Sequence, residues 1–591
     1  MIFAGITHFS SAPPYNLVKR IEKAIVHFSH NSHHSIKKDN FSIHYSILSS
    51  EISLQSKNSM VFGKIFSQNT CIPIEREDFL KIKGNSSHIF KSFWGKYIFV
   101  QEKEDFIELC ADPTGKTSVY YKQLPDGNFL FGSDINIFAY ILNQDELSYN
   151  LGYLSSLVIY GESDTQDTLY KEVTKLPAGN NLILRRYSRE TKLQWSLERY
   201  THFPYDSKNE KEFISLMLKT ITAWIAPYER VIVELSGGLD SSTLVYLLNQ
   251  AVKKNNKKII AVNYYTSDDK GSIEIDHAKK VTDHIGIPLY SYDLNDFYFF
   301  SPPEHIPLLN KPATILASWA YQDSICKMMD IKSTDLIITG NGGDHVFMSS
   351  PSIYTVVDSF LSTNGPRAIE TLKNICSFYR SSFISTAYKN LIALCRYIIN
   401  LPITNEFQDS IPEWMTNKMR EIAVKPYNQS FPSQLPGKQA QLVSIYKGLE
   451  FSNLSMSPSI EILCPFLNQP ILEWAASIPS YLLYGEGYDR YPVRKSISKF
   501  FDTQTVWRRD KGNTTGHFLK SIKRNREWIL EVCLNGLFVR NGIVKKSPLE
   551  KHIMQLAMGE PLCIWPFMNL YCTEIFLLGW EKNGKFNNTT K

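Results

Sequence analysis

The sequence predicts an α/β chain in two parts. Residues 1–205 read as a β-rich part, and residues 206–591 as a doubly wound parallel sheet carrying many helices. Three observations predict this. Short β-like runs with hairpin chemistry crowd the first 200 residues. From about residue 210, strand-like and helical periods alternate, which argues for a parallel sheet with helices on its faces. A glycine turn then stands between one strand and one helix. At 591 residues the chain is too long for a single core, and two to four domains are expected.

In the first part, residues 97–100 (Tyr-Ile-Phe-Val) and 106–110 (Phe-Ile-Glu-Leu-Cys) read as strands. Residues 128–131 follow the turn Pro125-Asp126-Gly127, which is hairpin chemistry. The stretch 201–210 is polar with Pro204, as linkers often are. Beyond it, residues 231–235, 259–265 and 336–339 read as strands, and 242–254 and 274–284 as helices. After residue 352 the chain reads as mainly helical. Residues 391–399 are apolar apart from Arg396 and are stopped by Pro402, so they read as a buried helix. No apolar run reaches the length of a membrane span. The tail from 581 is polar and expected to fray.

Composition narrows the class. The chain is 43% hydrophobic and 21% charged, as soluble globular proteins are. A net charge of +6 makes no case for nucleic acid as a partner. Nine cysteines stand singly, which fits reduced cytosolic thiols, and with no apolar run of membrane length a cytoplasmic protein with no membrane partner is expected. The first six residues lack the basic and apolar regions of a signal peptide. His27, His30, His33 and His34 cluster without a cysteine or acid among them, so they read as a polar loop and not a zinc site. Trp319, Tyr321, Trp414 and Tyr446 are candidates to line a peptide groove.

The chemistry starts at Leu235-Ser236-Gly237-Gly238-Leu239-Asp240-Ser241-Ser242. Glycines let backbone N–H groups approach an anion, and a helix start adds the positive end of a dipole. Three serine hydroxyls add donors, and Asp240 adds a carboxylate for a magnesium ion. Together these parts would cradle a pyrophosphate. No Lys-Ser/Thr follows the glycines, so this is not the Walker loop. A second cluster, Thr339-Gly340-Asn341-Gly342-Gly343-Asp344, ends another strand. In an open α/β sheet both loops lie at the carboxyl edge, so Asp240 and Asp344 are expected to face one another and share magnesium.

The first loop resembles the pyrophosphate loop of ATP-pyrophosphatases, and the two loops together resemble the asparagine synthetase pattern. Residues 457–467 (Ser-Pro-Ser-Ile-Glu-Ile-Leu-Cys-Pro-Phe-Leu) are similar to that family's Glu-x-Arg-x-Pro-Phe-Leu-Asp segment. Leu463 stands where the family has arginine, and Asn468 where it has aspartate. Asp112-Pro113-Thr114-Gly115, Tyr120-Tyr121, Phe131-Gly132-Ser133-Asp134 and Leu176-Pro177-Ala178-Gly179 resemble the family's N-terminal motifs in order and spacing. The resemblance implies an Ntn-type αββα glutaminase-like domain before the synthetase domain. Glutamine-using members carry cysteine directly after the initiator methionine. This chain has Ile2, so that domain should not hydrolyse glutamine.

Two segments resemble the lasso-peptide macrolactam synthetases of this superfamily: residues 341–347 (Asn-Gly-Gly-Asp-His-Val-Phe) and 489–494 (Asp-Arg-Tyr-Pro-Val-Arg). The resemblance implies ATP and magnesium as cofactors and a lasso precursor peptide as substrate. The pathway's leader peptidase and leader-binding protein are candidate partners. A side-chain carboxylate would be adenylated, and the peptide's N-terminal amine would then close the ring. Lys511, in Arg508-Arg509-Asp510-Lys511-Gly512, resembles the catalytic lysine of the family. Arg494 is implied to contact the triphosphate or the peptide. Tyr264 and the backbone of Gly340 are implied to meet the nucleotide. Asn341 stands where asparagine synthetases carry glutamate. Three alternatives stay open: an ammonia-using asparagine synthetase, a β-lactam-type small-molecule cyclase, and an inert scaffold.

Overall fold

The structure, a computed structural model, describes residues 1–9, 13–29, 32–48, 50–81, 86–142, 146–161, 166–201, 209–253, 257–267, 272–363, 365–401, 403, 412–424, 431, 434–453, 455–457, 460–500, 503–508 and 515–583. The β-rich part forms strands β1 (Ile2–Thr7), β2 (His33–Lys37), β3 (Phe41–Ser46), β4 (Ile52–Gln55), β5 (Ser59–Ser67), β6 (Phe93–Glu102), β7 (Ile107–Ala111), β8 (Tyr120–Gln123), β9 (Phe129–Gly132), β10 (Thr174–Lys175), β11 (Asn180–Arg185) and β12 (Ser188–Leu193). They make two six-stranded sheets, ordered β10-β8-β9-β1-β3-β2 and β12-β11-β7-β6-β5-β4. Neighbouring strands run antiparallel, as in β1 with β3 and β5 with β6.

Alternation along each strand builds the layers, because successive side chains leave opposite faces. In β1, Phe3 joins Tyr45, Phe62, Ile98, Leu109 and Leu182 between the two sheets. Ala4 and Ile6 share a second core with Ile21, Ala24 and Ile25 of the helix Tyr15–Phe28. The outer face of the second sheet is covered by the C-terminal part. Phe66 and Trp94 lie 5.4 and 6.4 Å from the Trp224 ring, on the helix Asn209–Ile225. The αββα expectation holds, with the C-terminal part forming much of one outer layer.

The C-terminal part carries β13 (Arg230–Glu234), β14 (Lys258–Tyr265), β15 (Leu289–Asp293), β16 (Asp335–Ile338), β17 (Ser455–Ser457) and β18 (Ile460–Leu463). Their order is β15-β14-β13-β16-β18-β17, parallel except for β17. The chain winds to one side of β13 through β14 and β15, then crosses to the other side at β16. That is a doubly wound sheet, and its switch point lies between β13 and β16. The helices Leu239–Lys253 and Ser272–Ile285 match the expected ones. The first starts three residues early because the glycine turn itself forms its first turn, with the Ser242 N–H donating to the Gly238 carbonyl at 3.0 Å.

The expected boundary at 205/206 lies outside the described residues. Polar groups also cross between the two parts. Glu461 of β18 is buried against Lys64 of β5, accepts from the Tyr228 hydroxyl, and lies 3.4 Å from the Lys96 ammonium. The Lys116 ammonium donates to the Leu467 carbonyl at 2.7 Å. Burial alone would raise the Glu461 carboxyl, but Lys64 and Lys96 outweigh it and hold the group below the usual carboxylate range.

Three expectations are corrected. Residues 391–398 do lie in a helix, Phe383–Ile398, but Leu391, Ile392 and Ile398 are exposed, not buried. Hydrophobic period shows which residues share a face and not where that face points. Trp319, Tyr321 and Trp414 are buried in cores, and Tyr446 stacks on Phe431 and accepts the Leu197 N–H at 3.2 Å. His33 and His34 lie in β2, not in a loop, with His33 hydrogen-bonded to His44 at 3.0 Å. His30 lies outside the described residues, and among the described residues no group of three or more His, Cys, Asp or Glu could hold a metal.

Removing one partner of a buried ion pair strands the other, at a cost of about 3–5 kcal/mol. Glu461→Gln should therefore lower the urea midpoint sharply with an unchanged slope. The carboxylate's pKa is lower in the folded protein. Its contribution is thus complete above the unfolded value of about 4.3 and disappears as pH falls below it. Unfolding of wild type and Glu461→Gln should converge in acid.

Candidate active site

β13 and β16 are adjacent, with Val231 opposite Leu336 and Val233 opposite Ile338. Both glycine loops leave their carboxyl ends at the switch point, where ligands of open α/β sheets bind. Leu235 anchors the first loop: its side chain is buried, its N–H donates to the Val262 carbonyl at 2.8 Å, and its carbonyl accepts from Asn263 at 2.7 Å. With its side chain and both backbone groups engaged, Leu235 holds the loop in place. Gly237 sits at φ +72°, and a Cβ there would lie 2.9 Å from the Glu274 carbonyl oxygen and from the His277 Cβ. Ser236 is exposed at the loop tip. Its hydroxyl accepts the Gly238 N–H at 3.3 Å and meets the Ser241 hydroxyl at 3.2 Å. The buried Ser242 hydroxyl has no hydrogen-bond partner among the described residues.

The second loop lies directly on the first. A Cβ on Gly343 would come within 2.7 Å of the Asp240 carboxyl carbon, and one on Gly340 within 3.2 Å of the Ser241 nitrogen. Glycine is required at these positions for close approach. Thr339 is buried; its N–H donates to the Leu463 carbonyl at 3.1 Å, and its hydroxyl accepts the Asn341 N–H at 3.3 Å. Asn341 is exposed, and Asp344 opens the short helix Gly343–Val346.

Asp240 and Asp344 are brought together as expected, and a residue not picked out from sequence lies between them. One nitrogen of Arg490, Nη1, donates to Asp240 at 2.6 Å and also to Asp344. Its Nε lies 2.8 Å from Asp489. Burial alone would lower the Arg490 pKa, but Asp240, Asp489 and Asp344 outweigh burial and raise it. Arg490 holds a left-handed backbone, φ +49° and ψ +34°, at the start of the helix Tyr491–Ile497. Such a conformation costs about 1–3 kcal/mol and persists where surrounding contacts over-determine it. Two carboxylates that share one guanidinium nitrogen are spaced to share one cation. Asp240 and Asp344, with the Ser242 hydroxyl nearby in the helix turn, therefore fit a magnesium ion with its phosphate ligands.

Arg494 is placed differently from expectation. It is buried and donates to the Asp489 carboxylate at 2.7 Å, to the Asp489 carbonyl at 2.9 Å and to the Val506 carbonyl. It braces Asp489 and the chain approaching residue 508, and does not project toward the phosphate loops. Arg508 donates to the Gly237 carbonyl at 3.0 Å, tying the start of the 508–512 segment to the first loop. Lys511 lies outside the described residues. Tyr264, at the end of β14, stacks on Tyr292 with centroids 6.4 Å apart and meets the edge of Tyr321 at 6.3 Å. The signal for Arg490 was present in the 489–494 segment, but side-chain direction at a left-handed position cannot be read from sequence.

A doubly wound sheet with two acidic glycine loops at its switch point defines an ATP-pyrophosphatase-type nucleotide site. Residues 228–574 match the asparagine synthase family, more than half of the chain, and the chain belongs to that family. It is similar to the microcin J25-processing protein McjC of Escherichia coli, with 21% identity over 552 residues, covering 91% of this chain and 96% of that one. Among solved structures it is similar to the U34-tRNA thiolase NcsA from Methanococcus maripaludis, with 16% identity, 44% of this chain and 84% of that one covered, and a TM-score of 0.22. It is also similar to the glutamine phosphoribosylpyrophosphate amidotransferase of B. subtilis, with 10% identity, 59% and 77% covered, and a TM-score of 0.20. At those scores neither superposition bears on the site.

Arg490→Ala removes the guanidinium that Asp240 and Asp344 share. The variant should lose about 3 kcal/mol of stability in metal-free buffer. Added Mg²⁺ should recover part of that loss, seen as a rise in unfolding temperature that the wild type does not show at the same concentration.

Proposed function

We propose that this chain is an ATP-dependent ligase that closes a macrolactam ring in a ribosomal peptide of the lasso class. The observation that carries the reading is the match to a peptide-processing protein along nearly the full length of both chains, joined to an intact pair of phosphate-side loops.

In the first step an oxygen of the peptide's Asp or Glu side-chain carboxylate attacks the α-phosphorus of ATP. The bond to the β-phosphate oxygen breaks, and pyrophosphate leaves. The N–H groups of Gly237, Gly238 and Ser241 and the hydroxyls of Ser236, Ser241 and Ser242 are the donors for that leaving group, at the positive end of the helix Leu239–Lys253. Magnesium held by Asp240 and Asp344 supplies, when bound, positive charge for the transferring oxygens. Tyr264 and the Gly340 backbone flank the adenosine. Asn341, exposed beside Asp344, is the loop residue open to the peptide.

In the second step the peptide's N-terminal amine attacks the acyl carbon, AMP leaves and the amine nitrogen gives up its proton. Holding both ends of one peptide makes this attack effectively unimolecular. Lys511 is assigned to the oxyanion that forms, and Arg508 and Arg494 position the segment leading to it. Asp240, Asp344 and Asp489 already oppose Arg490 and Arg494. The polyphosphate therefore enters beside three carboxylates, and a bound metal offsets part of the charge it brings. In this reading the substrate's own amine is the nitrogen source, in keeping with Ile2 where glutamine-using members carry cysteine.

Incubation with precursor peptide and ATP should give AMP and pyrophosphate in step with a peptide one water lighter. Lys511→Ala should lower ring closure by a factor on the order of 10²–10³, with ATP binding by calorimetry unchanged. Pyrophosphate release driven by free ammonia and aspartate, with none driven by peptide, would instead select the asparagine-forming reading.

A further inference from the structure

The helix Phe383–Ile398 presents its polar and small residues inward. Thr386, Asn390 and Ala393 are its buried side chains. Thr386 donates to the Ser382 carbonyl at 2.9 Å, and Asn390 donates to the Thr386 carbonyl at 2.9 Å. The large apolar side chains point outward. Ile384 is 80% exposed, Tyr388 64%, Leu391 58% and Ile398 65%, with Phe383, Ile392, Ile399 and Leu401 also exposed. At 3.6 residues per turn, Ile384, Tyr388, Leu391, Ile392 and Ile399 fall on one stripe. Lys389 and Arg396, two turns apart, run along its flank. Ile369 and Tyr379 of the preceding helix Pro366–Tyr379 are exposed as well.

Charge identifies what covers this face. From Pro366 to Ile398 the charged side chains are Arg367, Glu370, Lys373, Arg380, Lys389 and Arg396, so cations outnumber the single acid. Asp358, on the neighbouring helix Thr355–Thr363, is buried and accepts from the Gly437 and Lys438 N–H groups at 2.8 and 2.7 Å, so it does not offset them. A second copy of the same face would bring like charges together. An apolar stripe flanked by Lys and Arg is the pattern of a helix lying in a membrane interface. Its apolar side chains enter the acyl boundary and its cations stay among the head groups. Among the described residues no helix is long and apolar enough to cross a membrane, so the contact is peripheral.

We propose that the outward face of Phe383–Ile398 docks the protein on anionic lipid bilayers. This departs from the expectation of no membrane partner, which rested on the lack of a spanning segment. The proposal is independent of the reaction assigned above.

The test is flotation of the full-length protein with phosphatidylcholine vesicles, with and without phosphatidylglycerol. Binding to the anionic vesicles should be about tenfold stronger or more, since each Lys or Arg near such a surface adds a several-fold gain, and should weaken with salt. Ile384→Asp combined with Leu391→Asp should abolish flotation. Lys389→Glu combined with Arg396→Glu should remove the preference for anionic lipid. Ile384 and Leu391 are both more than half exposed, so unfolding temperature and ATP turnover of the Asp variant should match wild type. The proposal is overturned if wild type fails to float with either vesicle, or if the Asp variant floats as well as wild type. It is also overturned if light scattering shows a dimer that the Asp variant dissolves, because the face would then be an interface between copies.

Discussion

The contact between the two glycine loops is the constraint from which the active site follows. Gly340 and Gly343 have no side chains, so the second loop settles onto Asp240 and Ser241. That approach forces Asp240 and Asp344 into one small space. Two carboxylates so placed repel one another unless a cation lies between them. Arg490 supplies it in the protein alone. The left-handed backbone at Arg490 follows from this need, because three carboxylates offset its conformational cost. Arg494 then has an inward role. It fixes Asp489, which fixes Arg490, and through the Val506 carbonyl it steadies the chain that Arg508 ties back to the first loop.

Much of this was legible in the sequence, for physical reasons. The apolar run before Ser236 and the helical period after it could form little else, so strand, loop and helix were readable. Two acidic glycine loops at strand ends of a parallel sheet must share an edge, so the pairing of Asp240 with Asp344 was readable too. Other features were not. β15 is short, half-exposed and polar in part (Leu-Tyr-Ser-Tyr-Asp), with no pattern to separate it from a loop. β18 was visible only as a motif, although its residues Glu461 and Leu463 pair with β16. The 489–494 segment carries both Arg490 and Arg494, and nothing in its residue types separates their roles. The direction of each side chain depends on a backbone angle that the residue types do not dictate.

The N-terminal part is bound into the molecule by more than a linker. Ile2 stands where glutamine-using members of the family carry cysteine, and we infer that its sandwich serves a role other than glutamine hydrolysis. Yet Trp94 and Phe66 pack against Trp224, and Lys64 meets Glu461, one strand from the second glycine loop. Asn468 fits the same picture. It stands where the family pattern has aspartate, is fully buried, and accepts from the Trp224 indole at 3.0 Å. An aspartate there would bury a charge beside that neutral donor; the amide carries no charge, although its Nδ2 has no hydrogen-bond partner among the described residues. Glu461, in contrast, keeps its charge because two lysines of the sandwich reach it. The sandwich thus stabilises the strand beside the active-site edge, and that role does not require catalysis.

The helix Phe383–Ile398 shows the limit of pattern reading in a different way. Its amphipathicity is strong, and the usual inference sends an apolar stripe to the core. That inference assumes that the protein's own interior is the apolar phase nearest to hand. Here the neighbouring helices Thr355–Thr363 and Pro366–Tyr379 meet a face built of Thr386, Asn390 and Ala393, small enough for close packing. Large side chains on that side would hold the helices apart. The sequence therefore met two demands with one period: close packing inward and apolar area outward. Exposed apolar side chains scattered singly need no explanation, but a continuous stripe flanked by cations does. The period identifies the two faces, and only the side-chain volumes, small on one and large on the other, distinguish a helix that packs by its polar side from one that packs by its apolar side.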